Sequence, residues 1–351
     1  MDPPLAKKQK INPKKPITFK SASMKPDIYF EVFGQEFHVT SMVLKLRSGF
    51  FRTFLDPAGG KLPKSTQPGF ASEWFTRIDD DGAWELSSDH QFRTITLSEF
   101  KGSKDHEELC FQKLLCAIHG RAYQLENADE LVTMTDMARY YQVRPVVSPT
   151  VCAATFKTPN FYTTIMNDPC SVLTSAKTLR NDLLFKDSLL LCLGPWSEPA
   201  FLKLSDPELR KTAAAAHARI CAKVAKVQPE LLLVNIKYQP TGQTKEAKQS
   251  YQDPARVLAD VAYSCRGIRQ LSKDGCWHDV LLLPIYYRRC SEVGSQSRDW
   301  TTAIREAVAP LLTSDLRMAS NVLAGVGQFK DYFLCLDFDD SDLPWGPAQY
   351  E

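Results

Sequence analysis

Ionisable and nucleophilic side chains are plentiful in this chain of 351 residues, but few stand at spacings that chemistry needs. The closest Cys/His pair is Cys276 and His278. On a strand the two would share a face, yet two ligands do not make a zinc site. The ten cysteines contain no CxxC spacing. Asp79, Asp80 and Asp81 run into Gly82, whereas a calcium loop alternates its acidic residues and closes on a glutamate, and position 90 here is His90. The chemistry of an Asp-Gly turn accounts for this run better, because both residues tolerate positive φ. No G-x-S-x-G elbow, G-x-x-x-x-G-K-[ST] loop or G-x-G-x-x-G fingerprint is present. No catalytic residue, cofactor-binding residue or metal ligand is therefore assigned. The chain is expected to act without catalysis, without a cofactor and without a small-molecule substrate.

Charge narrows the classes further. Residues 1–26 carry seven Lys against one Asp, which leaves 36 basic against 40 acidic residues for the rest of the chain. A nucleic-acid-binding globule would place its basic excess on the fold, so no direct nucleic-acid binding is expected. Lys7, Lys8, Lys10, Lys14 and Lys15 stand among Pro3, Pro4, Pro13 and Pro16. Such a segment is expected to stay disordered, either as a nuclear-import peptide or as a solubilising tail. Its lack of an apolar core argues against a secretory signal, and no apolar run is long enough for a membrane span. The expectation is an intracellular protein of cytoplasm or nucleus that does not contact a membrane. Cys110, Cys116, Cys192 and Cys221 fall in apolar helical patterns, where a free thiol behaves as a small hydrophobe; a reducing compartment suits them.

The elements that must position any site begin at Asp27. Ile28, Phe30 and Val32 alternate as a half-buried strand, Gly34 with Gln35 makes a turn, and Phe37 and Val39 start a second strand. Thr40 or Ser41 can cap a helix bearing Val43, Leu44 and Leu46, and Ser48 a second one bearing Phe50, Phe51, Phe54 and Leu55. Residues 56–70, rich in Pro and Gly, read as a loop. Trp74, Thr76 and Ile78 form a strand that turns at Asp81-Gly82 toward Trp84 and Leu86, and Thr94 to Leu97 form another. A helix over 106–119 carries Phe111, Leu114, Leu115 and Ile118 and stops at Gly120; the next is capped by Asn127, with Glu130 completing a capping-box pattern.

Asp27, Phe37, Val39, Leu44, Ser48 and Phe51, followed by the helical pair in LLCAIHGRAYQLENADELVTMTDMARYYQV, resemble a BTB/POZ domain. The wording MVLKLRSGFFRTFLD is similar to BTB proteins of filamentous fungi. The family usually has His after its second strand; this chain has Thr40, with His38 two residues earlier. The resemblance covers about Asp27 to Val143 and implies a small α/β module that binds other proteins. Family members that exchange strands in a homodimer carry a helix and strand before the position of Asp27. The basic tail is expected to supply neither, so that homodimer is not expected. In many members the partner is a cullin scaffold, which such adaptors often engage through an apolar–x–Glu segment. The nearest counterpart is Ala83-Trp84-Glu85, which makes these three the candidate partner interface; Trp84 reads equally as a cross-strand partner of Trp74 or Thr76.

Beyond Pro145 strand signals fade. Asn181 or Asp182 opens one helix, which Gly194-Pro195 ends, and Ser205-Asp206-Pro207-Glu208 opens another carrying Leu209, Ala213, Ala216, Ile220, Val224 and Val227. Further helices are expected over Arg256 to Leu271, from Asp299 and from Ser314 through Leu323, with Phe333 and Leu334 docking at the end. Such an α-helical tail region is common in fungal BTB proteins. No kelch or ankyrin repeat and no zinc-finger spacing appears. The fold class expected is α+β. Its parts are a disordered basic tail at 1–26, a BTB/POZ-like domain at 27–146 with a small mixed sheet covered by helices, and a mainly helical region at 147–351. The function expected is a BTB-mediated scaffold or adaptor. A cullin-type ubiquitin-ligase substrate adaptor and a nuclear transcription-associated regulator are the alternatives.

Overall fold

The computed structural model describes residues 14–21, 24–56, 65–89, 100–156, 158, 161–238, 253–268, 279–293, 299–319 and 321–346. The architecture is mixed, a small sheet with mostly helical surroundings, in two compact units, Met1–Thr158 and Pro159–Glu351.

In the first unit five strands form one mixed sheet: β1 (Ile17–Thr18), β2 (Ile28–Val32), β3 (Gln35–Val39), β4 (Ser72–Ile78) and β5 (Trp84–Ser87), in the order β1-β3-β2-β4-β5. β2 and β3 are an antiparallel hairpin whose turn is Phe33-Gly34, one residue earlier than the spacing suggested. Both residues have positive φ, 49° and 88°, the combination that a two-residue turn needs to follow the strand twist. Phe33 bears this unusual backbone because its ring rests on Trp84 and Phe100, and its N–H donates to Thr76 Oγ1 at 3.0 Å. β4 runs parallel to β2, so the chain crosses over between them through α1 (Ser41–Arg47) and α2 (Gly49–Leu55). The strand expected at Thr94 to Leu97 lies outside the described residues.

Two caps show how the crossover is held. The cap of α1 does not come from Thr40 or Ser41: the Asp27 carboxylate accepts from the Ser41 N–H at 2.7 Å and the Ser41 hydroxyl at 2.6 Å. Thr40 is buried and its Oγ1 has no hydrogen bond. Ser48 caps α2 as its spacing suggested, accepting from Phe51 N–H at 3.0 Å, and donates to the Tyr141 carbonyl at 2.7 Å. Below the sheet lie α3 (Lys104–Ile118), α4 (Ala128–Tyr140) and α5 (Arg144–Thr155). Phe30, Phe37, Phe51 and Phe111, all inaccessible to solvent, meet at ring separations of 5.5 to 6.0 Å, and Leu44, Leu114 and Leu115 close the same interior. Burying each such side chain stabilises the unit by about 1.5–3 kcal/mol. α5 packs on α3 and α4, so the helical layer of this unit runs past the boundary expected at residue 146.

The basic tail departs from expectation. Ile17–Thr18 pairs parallel to β3, although residues up to 26 were expected to form no element. The cause is a single large apolar residue: Phe19 is buried against the His119 ring at 4.8 Å, with the Arg121 guanidinium over its face at 4.6 Å. Arg121 also donates to the Thr18 carbonyl, and the Gln35 amide to that of Lys15.

The second unit holds α6 (Phe161–Asn167), α7 (Pro169–Leu179), α8 (Asp182–Cys192), α9 (Pro207–Lys237), α10 (Pro254–Ser264), α11 (Leu283–Glu292) and α12 (Asp299–Leu312). Asn181 caps α8 and Asp206 caps α9, each accepting from backbone N–H groups. The predicted stripe of α9, Leu209 through Val227, is buried, as are Phe333 and Leu334. Three expectations fail. The helix predicted over 256–271 ends at Ser264, and β6 (Arg266–Ile268) then pairs with β7 (Asp279–Leu281), so strands do occur beyond Pro145. No helix starts at Ser314, which instead forms a parallel bridge with Leu334. The reason lies in Asp187 on α8, fully buried, which accepts from the N–H groups of Arg317 and Met318 at 2.8 Å and from the Tyr162 hydroxyl. An extended segment presents both amides to that carboxylate, whereas in a helix capped at Ser314 the Met318 amide would bond to the Ser314 carbonyl. Cys221, expected to pack as a hydrophobe, is exposed, because it lies outside the buried stripe of α9.

Candidate interaction site

Where β5 approaches α3 and α4, the first unit has a groove of about 300 Å³. Its walls are Trp84, Met137, Tyr140 and Tyr141, and its polar lining is Glu107, Thr133, Asp136 and Arg139. Trp84 opposes Ile78 across the β4–β5 pair, whereas Thr76 opposes Leu86, so neither cross-strand partner suggested by spacing is the real one. The Trp84 ring packs on Phe33 and Phe111 at 5.3 and 5.9 Å, and its indole N–H donates to Glu107 Oε2 at 2.9 Å. These contacts hold the ring half-buried at the groove. Glu85 lies 3.4 Å from Arg77 Nη1 and accepts from the Tyr140 hydroxyl at 3.2 Å. Ala83 is exposed at the end of the turn, with its N–H donating to Asp79 Oδ1. Of the predicted trio, then, Trp84 lines the groove, Glu85 orients its Tyr140 wall, and Ala83 is exposed at the turn outside the lining.

Asp79 also accepts from the Asp81 N–H, and Gly82 has a φ of +81°, so the acidic run serves the turn. Burial raises the Tyr140 phenol above its ordinary range, with Glu85 adding to the effect, and burial raises Tyr141 much further; both remain neutral. Next to the groove, Phe54 and Tyr140 are 50% and 46% exposed, and Phe50 bridges them with ring separations of 4.5 and 5.3 Å.

Sequence reasoning missed Tyr140, Phe54 and Glu107. One signal was available for Tyr140: in a Tyr-Tyr pair at a helix end only one ring faces the interior, and Leu131, Met134 and Ala138 put Tyr141 there. Glu107 carried no such signal, since its meeting with Trp84 joins α3 to a strand 23 positions away.

Among the described residues the other close His/Cys contacts are local ones, four positions apart on one helix. His106 sits 2.9 Å from Thr133 Oγ1 and 3.7 Å from the Cys110 thiol, but burial pushes that thiol up to about 12, too high for a nucleophile. His217 and Cys221 are 3.5 Å apart on α9, and burial raises this thiol too. Cys276 and His278 lie outside the described residues, as do Lys7, Lys8 and Lys10. Lys14 is ion-paired to Glu108 at 2.7 Å, and Lys15 holds the tail through its carbonyl. Among the described residues no group of three or more His, Cys, Asp or Glu could hold a metal ion, and no helix is long and apolar enough to cross a membrane. No family model, no curated protein and no solved structure matches this chain.

Proposed function

We propose that the first unit is a BTB/POZ-like protein-interaction module and that the chain works as a scaffold or adaptor without catalysis. The observation that carries this reading is the aromatic surface at β5, α2 and α4, where Phe54 and Tyr140 stand half-exposed beside the Trp84 groove. Large aromatic side chains that are held in place yet open to solvent lose little freedom on binding and dominate interface energies. The interior supports the resemblance: Asp27, Ser48 and Phe51 each have a structural task.

The cullin-adaptor alternative is weakened by the commitments of Trp84 and Glu85 inside the unit. Affinity purification of the full chain from its native cells tests the reading. The wild type should retain specific partners that the Phe54→Ser/Tyr140→Ser variant loses. Retention of every partner by that variant would remove this surface from the account. A cullin among the lost proteins would select the ligase alternative.

A further inference from the structure

We infer that the groove beside Trp84 receives the arginine side chain of a partner peptide, a reading that rests on the interaction function proposed above. Size comes first. At about 300 Å³ the groove lies at the lower end of ligand-pocket volumes, enough for one long side chain. Its apolar walls, Trp84, Met137 and Tyr141, suit methylene groups and the face of a flat cation.

Charge comes second. Glu107 on α3 and Asp136 on α4 face the groove from two helices, against one lining cation, Arg139. Trp84 occupies only one oxygen of Glu107, and Oε1 has no hydrogen-bond partner among the described residues. Arg139 reaches Asp136 at 3.9 Å with both side chains about two-thirds exposed, an i,i+3 pair too loose and too wet to compete strongly. Asp79 and Glu85 add negative potential at Tyr140. Arg77 lies 3.4 Å from Glu85 and offsets part of that charge.

Guanidinium fits this arrangement better than ammonium. It is planar, weakly hydrated and able to stack on an indole while donating to carboxylates on two sides. An acidic or neutral guest would leave Glu107 without a counter-charge and Asp136 with only its loose pair to Arg139.

The test uses the ¹⁵N-labelled full chain, whose six tryptophans give indole N–H signals. Trp84→Phe assigns the Trp84 signal. Titration with the peptide acetyl-Gly-Arg-Gly-amide should shift that signal saturably. The citrulline peptide, equal in shape but uncharged, should leave it unmoved, and the lysine peptide should bind several-fold more weakly. Glu107→Gln, which keeps an acceptor for the indole, combined with Asp136→Asn should weaken arginine binding about tenfold. Absence of any arginine shift, an equal shift with citrulline, equal binding of lysine, or an unchanged affinity in the double variant would each overturn the inference. Partner capture lost on Phe54→Ser/Tyr140→Ser, with no arginine shift, would discard the guanidinium guest and leave the interaction module standing.

Discussion

His119 makes the stability of the first unit depend on pH. It follows α3, donates from Nδ1 to the Leu115 carbonyl at 3.0 Å, and supports the buried Phe19 ring. Burial, with smaller contributions from Arg121 and Arg47, lowers its pKa from 6.5 to about 4. A base with a depressed folded pKa binds more protons in the unfolded chain, so stability falls as pH drops from the unfolded value toward the folded one. Between about pH 7 and about pH 5 the loss works out at about 2 kcal/mol, and the whole window is worth about 3 kcal/mol. Below about pH 4 this group costs nothing more. Two measurements check the reasoning. The His119 imidazole signal, identified by its absence in His119→Gln, should titrate near 4 by NMR. Protection of the Phe19 amide, whose N–H bonds to the His38 carbonyl at 2.8 Å, measured as exchange relative to the intrinsic rate at each pH, should fall toward about pH 5 more in the wild type than in His119→Gln. An imidazole titrating near 6.5, or an equal loss of protection in both proteins, would refute the argument, since the ring would then be solvated or uncoupled from the tail strand.

Two more predictions concern what holds this unit together. Asp27→Ala removes both hydrogen bonds to Ser41 and should cost about 1–2 kcal/mol, seen as a lower urea midpoint for the unfolding of the first unit; an unchanged midpoint would mean that water caps α1 equally well. Lys113→Met leaves Glu130 buried without its 2.6 Å counter-charge and should cost about 3–5 kcal/mol by the same measurement, whereas Lys113→Met/Glu130→Gln should recover a large part. Equal loss in both variants would refute the argument, since neutralising Glu130 would then relieve nothing.

Several features were legible because they are local. Alternation along β2 and β3, the Ser48 and Asn127 caps, the Asp-Gly turn and the 3–4 spacing in α4 and α9 each follow from residues within a few positions of one another, where backbone geometry sets which side chains share a face. The elements that failed were decided from a distance. Ser314 to Leu323 has a helical pattern, yet its amides satisfy Asp187 about 130 positions earlier. The tail strand is held largely by Phe19 against His119 and Arg121, a hundred positions on.

The candidate site divides the same way. From its order of residues alone, the chain determined that Trp84 and Glu85 follow a tight turn on a short strand, and that one of the two tyrosines closing α4 must face outward. Only the tertiary structure decided that Glu107 would hold the indole, that Asp136 and Met137 would border it, and that Phe54 would stand near Tyr140 through Phe50. Periodicity carries information about one element at a time, while a groove is made by the packing of three, and that packing is set by the summed burial of Phe30, Phe51, Phe111 and their neighbours.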